Sequence, residues 1–404
     1  MPHSFTFRVT FWILAIVIIT GAEGLAQKSV RSFIFGNSLV LHELQQNPTP
    51  SQESSMPHWC HFLAEEAGHD YAVSGQYGFL PQHVNLPPRS QWFFDSVVIA
   101  WDDAETSFAE ANFSNIVVTP ANFIQWQAPT EDYPTDPISP IEATAQIFDW
   151  CLEQNDSLTL YIYEGWPDMS PYLNGGFPPS ASEWQAYNAY LMGDFHAWFL
   201  SYQDALVEQF PEACVKMIPV GPVIGEVLSQ SPFQQIPLTD LYEDDAPHGT
   251  PSLYFLTGMI SYMSQYQEKA PLTYRPDTFT HPIIREHYDE LVDIIWQELT
   301  DFNTVSGDSR VFCGSSTGTT LPEPNEVMVQ VYPNPTDDLL NISSDTRAHE
   351  LFLLNAFGQV VRGPVMIRPG NQRILLGNLP SGLYFLVGKD DNHSVLYRKR
   401  VQVR

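Results

Sequence analysis

An α/β main domain built on a parallel sheet covered on both faces, followed by a small all-β sandwich, is what this 404-residue sequence predicts. Two observations carry the first part. Short apolar runs bounded by turn residues recur along the chain, and stretches with helical spacing alternate with them. A third observation carries the second part: residues 329–404 set apolar runs among Gly and turn signals, with no helical stripe.

Residues 1–26 have a basic start at Arg8, an apolar run from Phe11 to Thr20 and small residues in Gly24-Leu25-Ala26. That pattern predicts a secretory signal peptide with cleavage before Gln27. The run is shorter than the ~20 apolar residues that span a bilayer, and no later segment qualifies, so the expectation is an exported protein with no membrane span in its mature form. Ser32-Phe33-Ile34-Phe35 then reads as a buried strand, broken by Gly36-Asn37-Ser38. Residues 57–68 predict a helix with Pro near its start and Gly as its stop. Residues 70–74 predict a strand ending at Gly75. Phe94 to Trp101 and Ser114 to Thr119 predict further buried strands, Ile141 to Gln154 a helix, and Ser157 to Tyr163 another strand. Ser182 to Phe210 reads as one long aromatic helix with a Ser cap, and Cys214 to Val220 as the last strand. Helices follow at Pro251 to Gln267 and Pro282 to Phe302. Residues 313–328, Gly/Ser/Thr-rich and then Pro-Glu-Pro, read as a linker, which leaves 27–312 for the main domain.

The net charge of −29 is unevenly spread. Residues 331–404 carry nine Lys+Arg and six Asp+Glu, while 27–330 carry eight basic and 40 acidic residues. A surface this acidic repels nucleic acid and anionic membranes and favours neutral or cationic substrates. Cys60, Cys151, Cys214 and Cys313 all precede the β-rich tail. An exported chain permits disulfides, and four cysteines allow three connectivities. None has C-x-x-C spacing, so neither a zinc ribbon nor a redox motif is indicated.

Ser38 follows a buried strand, at the sheet edge where open α/β sheets bind ligands. A serine hydroxyl needs a base and a group to orient that base, and histidine titrates near neutrality. In Asp245-Ala246-Pro247-His248-Gly249 an acid stands three residues before a histidine in a Pro/Gly loop, after the last sheet strand. Asp390 and His393 repeat that spacing, but in the tail. Oxyanion donors are backbone N–H groups or an Asn amide, for which Gly75 and Asn122 are candidates, with Trp101-Asp102-Asp103 as the alternative region.

Taken together, Gly36-Asn37-Ser38-Leu39, Gly75, Asn122 and Asp245-Ala246-Pro247-His248 resemble the blocks of the SGNH (GDSL-type) hydrolases over roughly residues 32–265. Asn37 stands where that family usually has Asp, and its Gly-x-Asn-Asp block is absent, Asn122 being flanked by Ala121 and Phe123. The resemblance implies a three-layer flavodoxin-like fold and ester hydrolysis without a metal. Ser38 would attack, His248 act as base and Asp245 orient it, with Gly75, Asn122 and the Ser38 amide in the oxyanion hole. The tail has its own resemblance. Val331-Tyr332-Pro333-Asn334-Pro335, Leu353-Leu354-Asn355-Ala356-Phe357-Gly358 and Leu379-Pro380-Ser381-Gly382-Leu383-Tyr384 resemble the type A sorting domain of the type IX secretion system. That implies contact with the secretion machinery and passage through the outer membrane, with the tail removed and the protein released or attached at the cell surface.

Other groups invite different chemistry. His58, His61 and Glu65 share a helix face that could hold a metal. Glu164 and Asp168 could form a carboxylate pair for glycoside cleavage, with Trp166 stacking on a sugar. Trp184 and Trp198 read as core. The expected protein is a secreted serine esterase acting, with no cofactor or metal, on an ester, an O-acetyl group above all, of a carbohydrate or small molecule. The alternatives are a glycoside hydrolase using Glu164 and Asp168, and a non-catalytic carbohydrate-binding surface protein.

Overall fold

The computed structural model describes residues 27–43, 50–94, 96–120, 127–304 and 306–314. In the tail it describes 329–332, 336, 339–344, 350–355, 360–366, 370–377, 379–380, 382–389 and 395–403. The signal-peptide reading, all of the linker reading but Cys313 and Gly314, and Asn122 lie outside the described residues.

Strand β1, Ser29–Gly36, is buried almost throughout, as a central parallel strand must be. Its Phe33 meets Phe35, Trp101, Phe108 and Phe113 edge-on, with ring centroids 4.9 to 5.8 Å apart. A short hairpin, β2 (Leu41–Glu43) and β3 (Pro50–Ser55), leads into helix α1, Met56–Glu66. Ser55 caps α1 by accepting from the His58 N–H, and Pro57 sits in its first turn. Strand β4, Asp70–Tyr77, pairs with β1 in parallel, so that Gly36 faces Tyr77. After α2 (Leu80–His83), only Val98–Ile99 of the predicted strand at 94–101 is extended, as β5. Both residues are exposed at the sheet edge. Apolar character marks burial but does not distinguish a strand from a packed loop, and Phe94, Val97 and Trp101 are buried outside the paired residues.

Strands β6 (Asn115–Val118), β7 (Thr159–Glu164) and β8 (Cys214–Pro219) complete a six-stranded parallel sheet in the order β5-β4-β1-β6-β7-β8. Helix α3, Pro140–Gln154, starts with a capping box of Ser139 and Glu142. The predicted long helix is two: α4 (Ala181–Tyr190) and α5 (His196–Gln209), joined by a π-helical turn over Leu191–Phe195 in which Gly193 leaves helical geometry. Helices α6 (Val220–Val227), α7 (Pro251–Tyr266), α8 (Pro282–Glu286) and α9 (Tyr288–Asp301) follow. The predicted helix at 282–302 divides at His287. Helices α1, α6, α7 and α9 pack among themselves, as do α3 and α5. Right-handed crossovers put these two groups on opposite faces of the sheet. The approach of α1 to α7 is close: a Cβ on Gly258 would stand 2.3 Å from that of Trp59.

The edge strand β8 is covered. Its Met217 N–H donates to the Arg310 carbonyl at 2.8 Å, Lys216 Nζ donates to the Ser309 carbonyl at 2.6 Å, and Cys214 is bonded to Cys313. Cys60 and Cys151 are buried free thiols.

The tail is all β, as its sequence predicts, and its strands pair antiparallel. β9 (Val329–Tyr332), β10 (Leu339–Ser344) and β13 (Gly370–Leu375) form one sheet. β11 (Glu350–Asn355), β12 (Val360–Met366), β14 (Gly382–Lys389) and β15 (Val395–Val403) form the other. Leu340, Ile342, Leu351, Leu353, Leu386 and Val401 are in its core. No helix among the described residues is long and apolar enough to cross a membrane.

Candidate active site

All six strands run the same way, so their carboxyl ends share one edge of the sheet. Chain direction reverses between β1, which leads to β4 on one side, and β6 on the other. Such a switch point is where open parallel sheets carry their ligand crevice. Ser38 lies there, in the turn that follows β1, and is partly exposed. Asn37 makes the turn: its side chain accepts from the Leu39 N–H at 3.0 Å and its carbonyl accepts from the N–H groups of Val40 and Leu41. Among the described residues the Ser38 N–H has no acceptor.

Residues 241–250 form the facing loop. Tyr242 pairs with Gly249, the Glu243 N–H donates to the His248 carbonyl at 2.8 Å, and the Thr250 N–H to that of Leu241 at 2.9 Å. Inside the loop, Asp244 Oδ1 accepts from the N–H groups of Ala246 and His248, at 3.1 and 3.0 Å. Its Oδ2 lies 2.7 Å from His248 Nδ1. The acid that orients His248 is therefore Asp244, and the expectation of Asp245 is corrected. The turn folds residue 244 back onto residue 248, while Asp245 contributes its carbonyl to the N–H groups of Met169 and Ser170. Burial works to raise the Asp244 pKa, but the hydrogen bonds and charge of His248 and the Ala246 N–H outweigh it, and the carboxyl rests below its ordinary value.

Three contacts surround the loop and the Ser38 turn, and one of them, the His42–His248 stack, joins the two directly. Tyr254, in the first turns of α7, donates its hydroxyl to the Ser38 carbonyl. The His42 ring, four residues after Ser38, stacks on that of His248. Trp166 Nε1 donates to the Pro247 carbonyl at 2.8 Å. Among the described residues no hydrogen bond joins Ser38 Oγ to His248. In sites without substrate that bond is often long, and it tightens in the reacting complex.

The other predicted site residues stand elsewhere. Gly75 lies within β4, not at its end, and is buried. Its close neighbour is Trp92: a Cβ there would meet the indole at 2.3 Å. A ring, not a substrate, demands the glycine, which corrects the oxyanion assignment. Glu164 is fully buried at the end of β7, 2.7 Å from His196 Nδ1. Asp168 holds the Ser170 N–H and hydroxyl at 3.1 and 3.0 Å. These are not two carboxylates facing a cleft. Trp166, 1% exposed, is a strut under the loop and not a stacking surface. In the metal candidate, His58 packs against Trp59 and Phe62 whereas Glu65 is exposed. No three His, Cys, Asp or Glu converge among the described residues. Trp198 is core, as expected. Asp244, Tyr254 and His42 were missed by the sequence reading. The neighbouring acid in Asp244-Asp245 and the second histidine after Ser38 were the available signals.

Residues 330–403 match the family described as the secretion system C-terminal sorting domain. That tail marks proteins exported by the type IX secretion system to the cell surface or beyond, and it addresses this chain through the outer membrane. No curated protein matches the chain. Among solved structures, it is similar to a DUF4886 family protein from Bacteroides uniformis at 11% identity, with a TM-score of 0.42 over 69% of this chain and 98% of that one. A second solved chain, also 11% identical, has a TM-score of 0.33 over 58% of this chain and 94% of its own.

Proposed function

We propose that residues 27–312 form a flavodoxin-like, SGNH-type serine esterase that hydrolyses an ester, an O-acetyl group above all, on a neutral carbohydrate or small molecule outside the cell. The observation that carries this reading is the Asp244–His248 pair, whose histidine ring stacks on His42 four residues after Ser38, with Tyr254 of the helix that follows the loop bonded to the Ser38 carbonyl. Asp244 accepts from His248 Nδ1–H, which leaves Nε2 as the basic nitrogen. As Ser38 Oγ attacks the carbonyl carbon, His248 takes the hydroxyl proton. The tetrahedral intermediate then expels the alcohol, to which His248 returns the proton. Water, deprotonated by His248, cleaves the acyl-Ser38 ester and restores the serine. The Ser38 N–H supports the oxyanion. The acidic surface favours a neutral or cationic substrate. Buried Glu164, bound to His196, weighs against the glycosidase alternative.

The test is acetate release from a short-chain acetyl ester and from an acetylated neutral glycan. Wild type should release acetate, and Ser38→Ala and His248→Ala should each lose at least a thousandfold in kcat. Full activity in Ser38→Ala would remove the serine from the chemistry.

A further inference from the structure

Four residues after Ser38, β2 carries a histidine that the mechanism above leaves unused. His42 is 7% exposed, and its Nε2 lies 3.1 Å from Glu243 Oε2. Its ring lies flat on that of His248, with centroids 4.0 Å apart and planes 12° from parallel. Glu243 and Asp244 are consecutive, so one loop supplies a carboxylate to each ring. Two histidine–carboxylate pairs therefore run side by side, one belonging to the β1–β2 segment and one to the loop.

We infer that His42 is a positioning residue: a flat ring, tied down by Glu243, against which His248 is held while it takes and returns the proton. This rests on the Ser38 esterase reading. The Asp244 bond fixes one nitrogen of His248 but leaves the ring free to pivot about it. A ring stacked on its face removes that freedom, and so keeps Nε2 aimed at one place through both proton transfers. The partner must be uncharged, because two imidazolium rings at this spacing would repel. The titratable groups that face His42 are His248, Asp244 and Glu243. Burial first, and then His248, hold the His42 pKa down to about 4, with Asp244 pulling the other way. At neutral pH, His42 is a neutral plate.

The experiment compares His42→Ala, which removes the ring, with His42→Phe, which keeps a ring and loses both nitrogens. On a short-chain acetyl ester, His42→Ala should lose about ten- to a hundredfold in kcat with KM within about twofold. His42→Phe should stay within about threefold of wild type, with the acidic limb of its kcat/KM profile unmoved. Wild-type kcat in a folded His42→Ala would overturn the inference. So would His42→Phe as impaired as His42→Ala, or loss of activity in His42→Phe with His248→Ala still active, which would make His42 the base. If wild type hydrolyses no ester, the esterase reading fails, and the inference is read by proton NMR. The downfield Nδ1–H signal of His248 should persist in all three, whereas its ring C–H lines, narrow in wild type and His42→Phe, should broaden in His42→Ala as the ring pivots. Equally narrow ring lines in His42→Ala would overturn the positioning role by themselves.

Discussion

Acid should loosen this protein between pH 7 and 5, before its ordinary carboxylates titrate, through His42 and equally through His83. Its ring is fully buried at the end of α2, edge-on to Phe35, with Nε2 bonded to the Gly78 carbonyl at 3.0 Å. Nδ1 is buried and has no hydrogen-bond partner among the described residues, so a second proton would place a positive charge in an apolar interior. Burial accordingly lowers the His83 pKa from 6.5 to about 4, against the pull of the Gly78 and Gly36 carbonyls. The unfolded chain takes that proton near 6.5 and the folded chain resists it until about 4. Stability is thus complete above the first value and falls as pH drops toward the second. At pH 5 the loss is about 2 kcal/mol for His83. His42, also lowered to about 4, adds about the same, while Glu243, whose pKa burial raises, opposes them. Asp244 and Glu268, both lowered, act only below the ordinary carboxylate range. Urea unfolding at pH 7, 6 and 5 measures the slope. His83→Gln, which keeps a donor for Gly78 and cannot titrate, should flatten it by about 2 kcal/mol between pH 7 and 5. Equal stability of wild type at pH 7 and 5, or an unchanged slope in His83→Gln, would refute this account.

Asp244→Asn should lower kcat on an acetyl ester by about a hundred- to ten-thousandfold, whereas Asp245→Asn stays within about threefold. The reverse order would restore Asp245 as the orienting acid. Glu164→Ala strands His196 in the interior and should cost about 3–5 kcal/mol in urea unfolding, and the catalytic rate of the folded fraction should be retained. Reducing Cys214–Cys313, whose sequence separation is 99, should cost about 4–5 kcal/mol on the loop-entropy account. A melting temperature unchanged by reductant would contradict that.

The parts of this molecule that were legible in the sequence are those set by local periodicity. The apolar run of β1, the helical stripes of α1, α3 and α7 and the alternation in the tail each name an element directly. What was misread depends on long-range packing. Gly75 does mark a close approach, but the group that approaches is Trp92. Glu164, Trp166 and Asp168 look like a cleft until the sheet buries the first two and a local turn occupies the third. Asp245 and Asp244 differ by one position, and only the turn between Tyr242 and Gly249 decides which reaches His248. The break at Gly193 is invisible because helical spacing continues through it.

The segment from Ser309 to Cys313 has a consequence for the life of the protein outside the cell. A bare β8 would offer a row of unpaired main-chain groups to any other extended chain, the ordinary template for fibrous self-association. Here the chain's own later residues occupy part of that row, and a covalent bond holds them there. An oxidising exterior preserves the bond that pins this cover over β8.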